Sequence, residues 1–448
     1  MLPFSGPPVR SLVAAQEKPD PPAEEDPVSP PTPAAAEKPI EIPEPGLKSI
    51  SGGEAKKHVS YLTGRKCQGR ASGLPGCDLA GEYLIKQVKA WGLEPIGEDD
   101  SFKQPFKVTI LKFPGQPAPK GVQLGGSGET FNVCAVLRGS DAELSKEYIV
   151  LSAHYDHTGA RSKKKIFAGA DDNASGTSTL LEVAQAFVTK GVPRPRRSVL
   201  FLWVSGEERG LLGSKYFVDH PTVPLKDIIC NLNIDMVGRN PKDDKHVYGN
   251  ASSPDLDSAH RLAMDASKLK FIAKTGSIFR RSDQFNFYQK DIPCLFWTSG
   301  LHKDYHSVKD TANKLNSKQM GKMGKHIFAT TWRLANRTAR PRFVKMDAAG
   351  TAGKLGAVLN MIPPEEIPRA KLGEGEGAAL VSSVLEGMPA FEAKLQQGDL
   401  IVGVDGKALP DSDAVGAVET AAENASSKIR LRVFRRGRFL KITVKFDD

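Results

Sequence analysis

The chain has 448 residues, 25% of them charged and 40% hydrophobic, which is an ordinary globular balance with room for two or three domains. No run approaches the roughly 18 apolar residues a membrane helix needs, so a helical membrane span is excluded. The net charge of +10 is modest for this length. The arginines near 194–197 and 430–438 lack aromatic interleaving and any nucleic-acid module, so they read as solvated surface and nucleic acid is not an expected partner.

Residues 1–45 are rich in Pro, Ala and Glu and cannot bury enough apolar surface to order themselves, so a mobile extended segment is expected there. The first fifteen residues, MLPFSGPPVRSLVAA, end in small residues like a targeting segment, but prolines interrupt them and no proper apolar core is present. Helices are expected over 51–61 and 78–91. The second carries Leu79, Tyr83, Leu84, Val88 and Trp91 near helical spacing and is ended by Gly92. Residues 106–113 read as a strand, 115–128 as a Gly/Pro loop, and 131–137 and 148–153 as strands joined by a polar turn.

Strands and helices then alternate. Helices are expected over 176–190, 210–218, 255–269 and 317–336, and strands over 198–204, 228–236 and 292–298. The run SVLFLWV is too continuously apolar for a half-exposed strand and predicts a central one covered on both faces. The pattern predicts an α/β fold, a doubly wound and mostly parallel sheet with flanking helices. The character changes after Thr338, which places a metal-site domain over 46–340 and a smaller α+β domain over 343–448. Of the five cysteines, Cys134, Cys230 and Cys294 lie in apolar runs and read as buried. Cys67 and Cys77 lie in a Gly-rich polar loop and are candidates for a disulfide in an oxidising compartment.

Chemistry-bearing residues follow the strands one after another. His154 follows the strand at 148–153, Glu207 and Glu208 follow 198–204, Asp235 ends 228–236, and His306 comes after 292–298. Asp171 and Asp172 occupy the loop entering the helix at 176. In an open α/β sheet, ligands bind outside the carboxyl ends of the strands. Imidazole with carboxylate suits Zn²⁺, and a carboxylate between two ions suits metal-assisted hydrolysis. Singly, each residue has a structural reading, such as a helix cap for Asp171-Asp172 or a charged first turn for Glu207-Glu208. Asp235 is harder to set aside, because an acid in an apolar run is costly unless paired or metal-bound. Residue chemistry alone does not choose between Asp171 and Asp172, or between Glu207 and Glu208.

The motifs AHYDHTG, GADDNASG, SGEERGLLGS, NIDMVG and DYHSVKDT, in this order, resemble the M28 family of co-catalytic zinc metallopeptidases. The resemblance implies a zinc-peptidase-like fold with two zinc ions per chain. His154 and Asp235 would hold one, Glu208 and His306 the other, and Asp172 would bridge them. Glu207 would be the general base for a metal-bound hydroxide, with Asp156 and Asp283 as outer partners that orient the ligands. The implied activity is aminopeptidase on a peptide or protein substrate, in a secreted or periplasmic protein. Carboxypeptidase and glutaminyl cyclase are alternatives on the same scaffold. Where some family members place a tyrosine to polarise the substrate carbonyl, this chain has Phe279.

Residues 355–446 resemble a PDZ domain, which implies an extended C-terminal peptide as a ligand. The glycine-rich stretch Leu372, Gly373, Glu374, Gly375 would form the carboxylate-binding loop. A non-enzymatic protein acting through this domain is a further alternative.

Overall fold

The computed structural model describes residues 40–110, 123–162, 164–242, 245–274, 276–346, 353–361, 376–385, 387–410 and 414–446. Strands β1 (Glu94–Pro95), β2 (Lys103–Thr109), β3 (Ser127–Leu137), β4 (Tyr148–His154), β5 (Ala160–Ser162), β6 (Lys165–Ile166), β7 (Ser198–Val204), β8 (Ile228–Ile234), β9 (Lys245–Tyr248), β10 (Phe271–Ala273) and β11 (Cys294–Thr298) belong to the first domain. All but the β5–β6 ribbon form one sheet in the order β1-β3-β7-β4-β8-β11-β9-β10, with β2 also paired to β3. The central strands β7, β4, β8 and β11 are parallel, while β3 and β9 run antiparallel to their neighbours β7 and β11. The sheet is therefore mixed at its flanks and parallel where the site lies.

Strand β7 shows why the centre is apolar throughout. Val199, Phe201 and Trp203 enter the core on one face, and Leu200, Leu202 and Val204 enter the core on the other. Strand side chains alternate faces, and here both faces are covered. The first face is covered by α1 (Glu44–Ser49), α2 (Gly52–Leu62), α3 (Pro75–Ala90), α4 (Gly176–Phe187), and further along the chain by the helices Pro254–Ser267 and Ser317–Asn336. The other face is covered by α5 (Leu212–Asp219) and by α7 (Gln284–Tyr288), which follows α6 (Pro254–Ser267) and precedes α8 (Ser317–Asn336).

Several expectations need correction. Residues 40–45 are not part of a mobile segment as expected: Trp332 and Arg333 of α8 donate to the carbonyls of Glu41 and Ile40, and α1 begins at Glu44. Residues 1–39 lie outside the described part, as does most of the expected loop at 115–128, whose last two residues already belong to β3. Leu79 is exposed, and α3 instead buries Cys77, Ala80, Leu84 and Val88. Cys67 and Cys77 are buried free thiols, not a disulfide. Cys77 faces inward from α3 against Ser205, and burial pushes its thiol up to about 12. The short strands β9 and β10 were not anticipated.

The C-terminal domain has its own core around Val381, Ile401, Val418 and Val433. Its strands are β12 (Ala357–Met361), β13 (Ala379–Val384), β14 (Leu400–Val404), β15 (Lys407–Ala408), β16 (Lys428–Arg435) and β17 (Arg438–Lys445), with helices α9 (Pro389–Glu392) and α10 (Ala414–Asn424). The main path is β12-β13-β14-β16-β17, so among the described residues β12 is an edge strand.

One buried pair in the first domain makes stability depend on pH. His260 Nδ1 faces His326 Nε2 at 2.8 Å and accepts from Trp297 Nε1 at 3.2 Å. A proton on that nitrogen would meet donors already aimed at it. Burial lowers the His260 pKa to about 4, and the folded state therefore resists a charge that the unfolded chain accepts near pH 6.5. Below that value the unfolded state binds more protons, so this contribution is complete above pH 6.5 and is lost as pH falls toward 4. Denaturant unfolding followed by tryptophan fluorescence should show a loss approaching about 3 kcal/mol across that window. His260→Gln, which keeps an acceptor and does not titrate, should flatten the slope.

Candidate metal centre

The site begins with strand register. In the parallel pairing of β4 with β8, Ser152 faces Asn233. His154 and Asp235 each lie two residues further on, at neighbouring strand ends and on the same side of the pleat. Pairing of β4 with β7 sets His154 beside Val204, and the chain turns after Ser205 to deliver Glu207 and Glu208. The path runs from β4 to β7 on one side and then to β8 on the other. The residues thus meet where the strand order reverses.

His154 Nε2 lies 3.3 Å from Asp172 Oδ1 and 3.3 Å from Asp235 Oδ1. His306 Nε2 lies 2.9 Å from Asp172 Oδ2 and 3.0 Å from Glu208 Oε2. One carboxylate, Asp172, therefore faces both groups, one oxygen to each. Glu207 belongs to neither group, with Oε2 3.9 Å from His154 Nε2. Asp171 turns away: it accepts from Gly238 N–H at 2.7 Å and faces His302. Asp310 accepts the backbone N–H groups of both Asp171 and Asp172 and so fixes the loop. Geometry thus brings Asp172 and Glu208 into the two groups and leaves Asp171 and Glu207 outside them.

Both ring nitrogens of His154, Asp172 Oδ2, Asp235 Oδ1 and Glu208 Oε1 are buried without a hydrogen-bond partner among the described residues. Buried polar atoms are seldom left so. They converge instead, and His154, Asp172 and Asp235 offer ligand atoms within 4.8 Å of one another. Imidazole and carboxylate donors at this spacing fit zinc. Burial pulls Asp172 and Glu208 upward, but the facing imidazoles outweigh it: Asp172 is held well below the usual carboxylate range and Glu208 is brought down to about 2. Glu207 moves the other way. Burial first, then the charges of Glu208 and Asp235, push it well above its ordinary value despite His154.

The outer partners differ from expectation in one case. Asp156 faces His154 Nδ1 at 3.5 Å while accepting from Ser72 and from the Glu207 backbone N–H, so it ties the imidazole to the base. Asp283 accepts from Ser214 at 2.6 Å, and burial pushes it up to about 7. The hydroxyl that holds Asp235 belongs to Ser282, 2.9 Å from Asp235 Oδ2. Ser282 accepts in turn from Asn233, inside β8. Two asparagines in the run IICNLNI were the available signal for this polar chain, and sequence reasoning passed over it.

A cleft opens over the site, with Asp172, Glu207 and Asp235 in its wall. Tyr248, Ile278, Phe296 and Leu301 give it an apolar side, and Arg281 and Tyr305 a polar one. Phe279 is buried away from the cleft. Tyr248, Arg281 and Tyr305 bring hydrogen-bond donors to the cleft wall, and neither tyrosine was singled out from sequence. Tyr305 stacks on the His306 ring at 3.8 Å. The basic segment at 161–165 belongs to the β5–β6 ribbon. Leu372, Gly373, Glu374 and Gly375 lie outside the described residues.

Arg70 holds the loops around the site. Its guanidinium is fully buried and donates to the carbonyls of Tyr155, Leu62, Ala168 and Gly169 at 2.8–2.9 Å. Arg70→Met would strand four carbonyls and should cost about 3 kcal/mol in denaturant unfolding, with faster amide exchange over 155–169.

Residues 132–331 match the model of Peptidase family M28, and residues 353–446 match that of the PDZ domain. Aminopeptidase YwaD of Bacillus subtilis (strain 168) is 27% identical over 221 residues, covering 47% of this chain and 46% of that protein. A probable leucine aminopeptidase of Arthroderma otae is 28% identical over 198 residues, covering 43% and 55%. The chain thus spans about half the length of these curated relatives. Among solved structures, an aminopeptidase from Aneurinibacillus sp. strain AM-1 superposes with a TM-score of 0.53 at 16% identity, over 68% of this chain and 98% of the other. The zinc aminopeptidase BSAP of Bacillus subtilis gives 0.52 at 14%, over 68% and 98%. At these identities the likeness is one of fold. Fold, motif order and family matches agree: this chain carries a Peptidase family M28 domain followed by a PDZ domain.

Proposed function

We propose that this chain is a zinc aminopeptidase that binds two ions, in a secreted or periplasmic setting. The observation that carries the reading is Asp172, one carboxylate shared by two groups of buried ligand atoms, with Glu207 beside them and outside both. His154 and Asp235 would hold one ion, Glu208 and His306 the other, and Asp172 both. Zinc in such a place supplies Lewis acidity, polarising a carbonyl and making water a better acid.

The protein's own part is proton handling and placement. Glu207 takes a proton from the attacking water as its oxygen adds to the scissile carbonyl carbon. The same carboxyl then gives that proton to the amine nitrogen as the C–N bond breaks. A carboxyl raised by burial suits both halves, since it is a stronger base than an ordinary carboxylate when it takes the proton and then holds that proton for the amine. Tyr248, Tyr305 and Arg281 line the side where the carbonyl oxygen would lie.

Carboxypeptidase action is the second reading, drawn from Arg281, a cation in the same cleft. In the PDZ domain, an extended peptide would add to the edge strand β12.

Glu207→Gln should keep two zinc ions per chain by elemental analysis while turnover falls about 10²–10⁴-fold. Undiminished turnover would remove Glu207 from the role. On a panel of free-amine and N-blocked peptides, only the free-amine members should be cleaved, with chelator abolishing the activity. Cleavage of N-blocked peptides at their C-termini would favour the second reading.

A further inference from the structure

The second histidine of the AHYDHTG motif, His157, has no part in the site as described so far. It is fully buried, and neither ring nitrogen has a hydrogen-bond partner among the described residues. A structural imidazole in a packed interior normally satisfies at least one of them. Its Nδ1 lies 2.6 Å from Glu208 Oε1 and 3.8 Å from Asp172 Oδ2. At 2.6 Å His157 Nδ1 is also close enough to donate to Glu208 Oε1, so the imidazole either orients that carboxylate or shares an ion with it. Both point toward shared space. The ligand atoms of His157, Asp172 and Glu208 all fall within 4.8 Å of one another.

The fold holds this ring firmly. The His157 backbone N–H donates to the carbonyl of Arg70. The ring lies against Gly169, where an added Cβ would come within 2.4 Å of its Cγ and where φ is +56°. The Gly169 carbonyl is itself an acceptor of the Arg70 guanidinium. Across the site the ring meets His306 edge-on at 5.7 Å.

We infer that His157 Nδ1 is an additional protein ligand of the second metal ion, alongside Asp172, Glu208 and His306. This rests on the zinc reading above and goes beyond it. The two positions then differ in kind. Four protein donors close a tetrahedron, whereas His154, Asp172 and Asp235 leave one place open. The closed position holds its ion more tightly, and the open one, beside Glu207, is where water and substrate enter.

The test uses the full chain with Zn²⁺ or Co²⁺ as the only added probe. In the Co²⁺-substituted protein, each coordinated histidine gives a strongly shifted, exchangeable imidazole N–H proton resonance. Wild type should show three, from His154, His157 and His306, and His157→Gln should show two. Graded chelator dialysis should find one ion released at least 10-fold more easily from His157→Gln and from His157→Ala, with far-UV circular dichroism unchanged. Two ions bound to wild type but only two such resonances, or equal retention in the variants, would overturn this inference and leave the zinc reading standing. A wild-type protein that binds no zinc would overturn both.

Discussion

Five carboxylates, Asp156, Asp172, Glu207, Glu208 and Asp235, crowd one edge of a sheet in a water-poor place, and the rest of the structure answers to that crowding. Unpaired negative charge in such a setting is expensive. Imidazoles supply part of the relief: His154 and His306 hold Asp172 low, and His306 and His157 do the same for Glu208. Glu207 and Asp235 remain raised, which shows that the imidazoles alone do not satisfy the cluster. A divalent cation held by these groups would complete the balance. It would leave Glu207, outside both groups, as the carboxyl least committed to any partner.

Such a cluster holds its shape only if its surroundings are rigid. Arg70, from the segment between α2 and α3, holds carbonyls on both sides of the loop that carries the β5–β6 ribbon. Ser152, Asn231, Asn233 and Ser282 form a buried hydrogen-bonded chain beneath Asp235. Asp310 does the same work for the backbone at Asp171 and Asp172. The N-terminal helices cover part of one sheet face and matter to the site because α2 and α3 flank the segment that presents Arg70 and Ser72 to it.

What could be read from sequence follows the range of the interaction. The apolar runs fix β4, β7 and β8 because burial on both faces leaves no other pattern, and a histidine or acid at the end of such a run stands out. His154, Asp235 and the Glu207-Glu208 pair were legible for that reason. The choice of Asp172 over Asp171 was not, because it depends on Asp310 and Gly238, far away in the chain. Ser282 and His157 were missed for a like reason: a serine beside an acid, or a histidine three residues from a ligand, carries no local signal of where its side chain goes. Cys77 misled because its flanking glycines and proline resemble a loop, whereas Pro75 opens a helix.

The balance of charge across the cleft bears on which end of a peptide is taken. A carboxypeptidase needs a cation whose charge is available to the terminal carboxylate. Arg281 lines the cleft, but Glu419 of α10 in the PDZ domain lies 3.9 Å from its Nη1. Glu419 is nearly inaccessible to water, so screening weakens that attraction little. An incoming carboxylate would have to compete with a neighbour already in place. An incoming amine meets an arginine balanced by Glu419, which repels it less than a lone cation would. Through Glu419 the C-terminal domain sets part of the charge of the cleft, in the direction the aminopeptidase reading needs.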